Sequence, residues 1–322
     1  MSTRGDNRGR AGPGPWRLLA GCGLAALLVL AIVAWPTVVG VGPRSHWLLQ
    51  SMASVLFRVC ALVLVIGGLL FAAGVAFLWR AGRPYRTAGR GEQGVAILEF
   101  ALVFPILLLL GLLMAQASLL MVGNVCVHYA AFCSARAAIV IIPQEYGSSE
   151  PRNLLVDSDE DTSKMYRIKL AAVTALAPVS CGSEDITAAG VGGDVYVSGI
   201  EHFMSLYSVS QPAWADERLS RKLAYAAQFT DVSVAPPEPR TNPAEMDENG
   251  QFDDNEDVHV TLTHTFYLAI PTGARIFSMF PGGVALPFGE NEYGMEMTAS
   301  YTMPNEGVQD YVDIEVFPRD AR

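Results

Sequence analysis

The sequence predicts a membrane α plus exported α+β protein. Three transmembrane helices come first, and the third runs past the bilayer into an antiparallel, β-rich domain. Three observations predict this. Three long uncharged runs fall within the first 142 of 322 residues. Charge is divided unevenly: residues 1–142 hold 11 Arg, no Lys and 3 acidic residues, whereas 11 basic against 29 acidic residues leave 143–322 at −18. Apolar and polar residues alternate with period two through much of the C-terminal third. A hydrophobic share of 51% with 17% charged residues excludes a single soluble globule, because the apolar excess sits in one half. The acidic second half excludes nucleic acid as a partner, since phosphate binding needs a Lys/Arg surface.

The uncharged runs are Leu18–Pro43 (26 residues), Val59–Trp79 (21 residues) and Phe100–Ala135 (36 residues). Each meets the requirement of roughly 20 apolar residues per spanning helix. One such run could be a buried core helix; three, with so little polar chain between them, read as a membrane unit. Arginines set the direction. Arg4, Arg8, Arg10 and Arg17 mark the tail, and Arg80, Arg83, Arg86 and Arg90 mark the second connection, against Arg44 alone in the first. The positive-inside rule then makes the N-terminus cytoplasmic and residues 143–322 extracytoplasmic. The expected organisation is a basic tail (1–17), a transmembrane hairpin (18–79), a basic cytoplasmic loop (80–94), a long helix (95–142) and an exported acidic α+β domain (143–322). The first run is too long for a cleaved signal peptide, and no small-x-small site precedes a mature domain.

Five cysteines do not form a disulfide framework. Cys22 and Cys60 fall in membrane runs, where a free thiol acts as a small apolar group. Cys126 and Cys133 sit seven apart on one helix, about 10 Å along its axis, too far for a mutual bridge. Cys181 is left with three alternatives: Cys133, another subunit, or a free thiol.

Glu99 stands immediately before the third run, five residues after Gly94, and is the one charge in the apolar stretch that opens there. A carboxylate at this depth costs about 2.5–3.5 kcal/mol on insertion scales, so it has a partner or a role, or else sits at headgroup level by the helix start. Gly-(four residues)-Glu-Phe before a long apolar helix resembles the prepilin-peptidase site of type IV-like pilins. The run GVAILEFALVFPILLLLGLL resembles the opening motif of the TadE-like family, pseudopilins of the tight-adherence (Tad/Flp) pilus system. Matching positions are Gly94, Glu99, Phe100, Ala101, Leu102 and Pro105, then Ser134-Ala135-Arg136-Ala137-Ala138. The stretch MEMTASYTMPNEG resembles the family's closing strand.

The resemblance implies a multi-pass protein of the bacterial inner (plasma) membrane that serves pilus assembly or secretion and is not an enzyme. It implies cleavage by a prepilin peptidase between Gly94 and Val95, and recognition or assembly through Glu99, Phe100 and Pro105. Its implied partners are other pilin-like subunits, pilus-assembly membrane proteins, the peptidase and the lipid bilayer. Two features differ from the family pattern: 94 residues precede the cleavage bond in place of a short leader, and Gln116 stands where many members carry an acidic residue.

Beyond the membrane, Val122, Cys126, Tyr129, Cys133, Ala137 and Val140 recur at helical spacing and predict the face that packs on the exported domain, leaving Asn124, His128 and Arg136 outside it. His128 reads as a solvated or satisfied side chain. Residues 143–322 are numerous enough to bury a core of their own. Ser163–Leu176 predicts a helix with Met165, Ile168, Ala172 and Leu176 inward. Ala213–Gln228 predicts another, with Trp214, Leu219 and Leu223 inward and Asp216, Glu217, Arg221 and Lys222 outward. Strands are expected over Val258–Ile270, Met295–Tyr301 and Val312–Val316.

Glu245, Asp247, Asn249, Gly250, Asp253 and Glu256 fall at positions 1, 3, 5, 6, 9 and 12 of a calcium-loop pattern, with Phe252 at the apolar position 8. Position 1 is Glu where Asp is expected, and no helices flank the segment, so a solvated acidic loop accounts for the same residues. Calcium is the one cofactor this composition suggests; otherwise none is expected. No zincin, nucleophile-elbow, phosphate-loop or paired-cysteine zinc signature is present. His259 and His264 lie on opposite faces of one strand. The alternatives to a pseudopilin are an uncleaved membrane-anchored envelope scaffold and a calcium-dependent exported binding module.

Overall fold

The computed structural model describes residues 42, 45–81, 93–145, 152–155, 163–182, 213–235, 252, 257–289 and 291–305. Its elements are α1 (Trp47–Ala53), α2 (Val55–Ala81), α3 (Gln93–Ile141), α4 (Lys164–Leu176), α5 (Ala213–Gln228), β1 (Thr230–Ala235), β2 (Asp257–Tyr267), α6 (Pro271–Phe277), β3 (Gly283–Ala285) and β4 (Tyr293–Pro304). Two helices contain stretches long and apolar enough to cross a membrane, Val55–Ala76 in α2 and Ala101–Ile141 in α3. The expected first span, Leu18–Pro43, lies outside the described residues except for Gly42, so a third transmembrane helix is not shown.

Helices α2 and α3 run antiparallel. Gly74 meets Leu107, Gly67 meets Met114, and Ser51 and Ser54 meet Asn124. With 49 residues α3 is about 73 Å long, more than twice a hydrocarbon core of about 30 Å. Its C-terminal half therefore extends beyond any bilayer its N-terminal half crosses, and that extension organises the rest of the chain.

Four antiparallel strands form one sheet in the order β1-β2-β4-β3. Alternate residues of β2 (Val258, Val260, Leu262, His264 and Phe266) are buried. Opposite them stand Met303, Tyr301, Ala299, Met297 and Met295 of β4. This inner face lies against α3. The Phe266 ring rests on Gly123, where a Cβ would stand 2.6 Å from the ring, and Phe132 meets Tyr301 edge-on at 5.3 Å. Helix α4 packs beside them through Met165, Ile168, Ala172 and Leu176, as its periodicity predicts. The Ser163 hydroxyl caps α4 by accepting from the Tyr166 amide.

Three expectations need correction. The strand expected to continue to Ile270 stops at Tyr267, because Pro271 lacks an amide proton and opens α6 at the first helical position. The core is not confined to 143–322. Ala117, Leu120, Val127, Ala131, Ala135 and Ala138 of α3 share one cluster with α4 and the sheet, and Cys60 of α2 joins it. The third correction concerns the face of α3. Val122, Tyr129 and Val140, expected to pack on the domain, are 51%, 42% and 56% exposed. The buried face carries Ala117, Leu120, Asn124, Val127, Ala131, Ser134 and Ala138 at steps of three and four. Small residues let the sheet and α4 approach the helix closely, and a reading weighted by large apolar side chains selects the opposite face.

The strand expected at Val312–Val316 lies outside the described residues.

Candidate functional site

The residues singled out in the sequence converge on α3. Gly94, Val95, Glu99, Phe100 and Pro105 all fall within its helical length, and the Gly94–Val95 bond lies in the first turn. That turn has the fewest intrahelical hydrogen bonds, because the first four amides of a helix lack partners within it. Pro105 sits mid-helix with its ring exposed and removes one backbone bond, a loss neighbouring groups absorb in membrane helices. Around it Leu102, Phe104, Ile106, Leu108 and Leu109 are exposed, an apolar surface suited to lipid or to another apolar helix.

Further along, polar residues on the buried face attach α3 to its surroundings. The Asn124 amide nitrogen donates to the Ser51 carbonyl at 3.1 Å and to the Ser51 hydroxyl at 2.9 Å, and its oxygen accepts from the Ser54 hydroxyl at 3.2 Å. Ser54 also accepts from the Phe57 amide, capping α2. Gln116 is fully buried, and its oxygen accepts from the Ile270 amide at 3.0 Å, the position that precedes α6 without a side-chain cap of its own. The neutral amide of Gln116 thus holds α6 on the helix.

His128 differs from its expectation. It is 7% exposed, and neither ring nitrogen has a hydrogen-bond partner among the described residues. The C-terminal end of α3 is closed by Lys164, which the sequence reading overlooked. Its buried Nζ donates to the Ile142 and Leu154 carbonyls, both at 3.0 Å, placing a cation at the negative end of the helix dipole. The only sequence signal for this role was a lysine at the first position of an amphipathic helix. Lys222, expected outward, instead reaches the Ala177 and Pro178 carbonyls at 3.3 and 2.8 Å, and partial burial lowers its pKa.

The two strand histidines do lie on opposite faces. His259 bonds the Thr302 hydroxyl at 2.8 Å, and buried His264 bonds the Thr230 hydroxyl at 2.9 Å. Burial lowers the His264 pKa to about 4. Buried Tyr225 donates its hydroxyl to the Thr265 carbonyl at 2.8 Å, and its pKa is raised, chiefly by burial. Among the described residues Cys60, Cys126 and Cys133 are free thiols.

Among the described residues no group of three or more His, Cys, Asp and Glu side chains could hold a metal ion. Glu245, Asp247, Asn249, Asp253 and Glu256 lie outside those residues. Phe252, between them in sequence, is buried at 3% exposure and donates its amide to the Asn153 carbonyl at 2.8 Å.

No curated protein and no solved structure matches the chain. One family model does match, over residues 94–136, and its description is TadE-like protein. The match begins at the glycine of the predicted cleavage bond and ends at Arg136, so it includes the part of α3 that joins the core through Ala117, Leu120, Val127, Ala131 and Ala135. The chain therefore carries a TadE-like segment, consistent with a TadE-like protein of the tight-adherence pilus system.

Proposed function

We propose that this protein is a pseudopilin-type component of a tight-adherence pilus or related secretion apparatus that acts by helix packing in the bacterial inner membrane, without catalysis. The observation that carries the reading is a single uninterrupted helix, α3, on which the TadE-like match falls. One part of it exposes apolar side chains and the other forms a wall of an α+β core. In this reading the arginine-rich 80–94 connection is cytoplasmic, three spans precede the exported part, and residues 143–322 face outward. A prepilin peptidase cuts between Gly94 and Val95. The new Val95 amine is a cation at the membrane surface, and Glu99 of a neighbouring subunit pairs with it, which compensates the cost of an intramembrane carboxylate.

The test is co-expression with a cognate prepilin peptidase, followed by mass measurement and N-terminal sequencing. Cutting leaves a fragment of 228 residues beginning at Val95. Gly94→Val should leave the chain whole, whereas Glu99→Val should permit cleavage and block assembly. An intact wild-type chain beside an active peptidase would favour the second reading, an uncleaved anchored scaffold. That reading draws support from the packing of α1 and α2 on α3. Reporter fusions that place 143–322 in the cytoplasm would overturn both.

A further inference from the structure

The helices ahead of the TadE-like segment are fitted to α3 and not merely connected to it. At Gly67 a Cβ would stand 2.9 Å from the Met114 Cγ, and at Gly74 2.7 Å from the Leu107 Cδ2, so a larger residue at either position would have to displace a side chain of α3. Close approach through small residues is how helices associate where lipid removes the hydrophobic driving force. Cys60 and Ala61 of α2 are buried, and Trp47, Leu56, Val63 and Leu64 pack on the same cluster as the sheet. Near the far end, Ser51 and Ser54 satisfy the Asn124 carboxamide with three hydrogen bonds, and Trp47 meets Tyr129 edge-on at 5.1 Å. Removal of α1 and α2 would leave that buried amide without partners and uncover Leu107 and Met114.

We infer that α1 and α2 are a permanent partner of α3, held by packing, and remain bound when the chain is cut ahead of α3. The inference rests on the proposed cleavage for its biological setting. The peptidase would then produce a two-chain unit and not a lone pilin-like helix. One face of α3 is occupied from the start by this chain's own N-terminal segment. Neighbouring subunits have access to the sides that α2 leaves open, where Leu102, Ile106, Leu119 and Val122 are exposed.

The test uses the full chain with a site-specific protease sequence inserted between Ala88 and Gly89 and an affinity tag at the C-terminus. The folded protein is cut in mild detergent and captured by the tag. Fragment 1–88 should be retained at about one copy per tagged fragment. Its release to background, while the tagged fragment stays monodisperse, overturns the inference. A Gly67→Leu, Gly74→Leu, Asn124→Leu variant should lose at least tenfold of the retained fragment. Full retention in that variant also overturns it, because the micelle and not the seam would then be holding the pieces. Cleavage at Gly94 itself is read separately from the mass of the uninserted chain beside the peptidase, so failure of that step is distinguishable.

Discussion

The Gln116 side-chain oxygen accepts a hydrogen bond from the Ile270 amide across 154 positions of sequence. This contact fixes the start of α6 on α3, and Gly273 of α6 comes close enough that a Cβ there would stand 2.9 Å from the Gln116 Cβ. Replacing Gln116 with Leu leaves the part-buried Ile270 amide without its acceptor, at a cost of about 1–3 kcal/mol. The full chain in detergent should melt at a lower temperature. Gln116→Glu should lose more at neutral pH, because it places a charge at a fully buried position, and should recover part of the loss as the carboxyl is protonated. A Leu variant that melts with the wild type would show that the contact carries no stability.

Lys164 should prove as important as any apolar core residue. Lys164→Met keeps the side-chain length but removes both hydrogen bonds at the end of α3, for a loss of about 1–3 kcal/mol. Lys164→Arg should not rescue it, since a planar guanidinium cannot replace a compact ammonium in a closed site. Thermal unfolding of both variants, followed by intrinsic fluorescence, checks this.

His264 predicts a specific loss of stability in mild acid. Its folded pKa of about 4 lies below the ordinary value of about 6.5, because burial disfavours the imidazolium. Between these values the unfolded chain binds a proton that the folded chain does not. Stability is therefore whole above pH 6.5 and declines as pH falls toward 4, by on the order of 3 kcal/mol. His264→Gln should flatten the melting temperature between pH 6.5 and 5. An unchanged slope in that variant would assign the acid sensitivity to other groups.

We propose calcium binding by Glu245–Glu256 as a separate property of the acidic segment. If ions bind there, millimolar calcium should raise the melting temperature of the full chain, and Glu256→Ala should abolish the rise. The buried anchor at Phe252 gives a second readout, because ordering next to it should slow hydrogen exchange at its amide. No calcium effect on either measure leaves a solvated acidic loop.

Local pattern was enough for several parts. The α4 face from Met165 to Leu176, the alternation of β2 and β4, and the opposed faces of His259 and His264 follow from periods of 3.6 and two, which need no knowledge of neighbours. The Gly94–Pro105 motif was likewise legible, because residue type and spacing define it. Strand β1, the short helix α6 and the small-residue contact face of α3 were not legible, since each depends on what packs against it.

The sequence by itself determined that a long apolar helix with one carboxylate near its start follows an arginine-rich stretch, that it carries the TadE-like pattern, and that strands dominate the C-terminal third. Tertiary structure decided which side of that helix is inside. Asn124 is buried where Ser51 and Ser54 satisfy it, Gln116 where its oxygen meets the Ile270 amide while its nitrogen has no partner among the described residues, and Lys164 where α3 ends in open carbonyls. These partners lie 22 to 154 residues away in sequence, so only the folded chain brings them to the polar groups whose lost water they compensate.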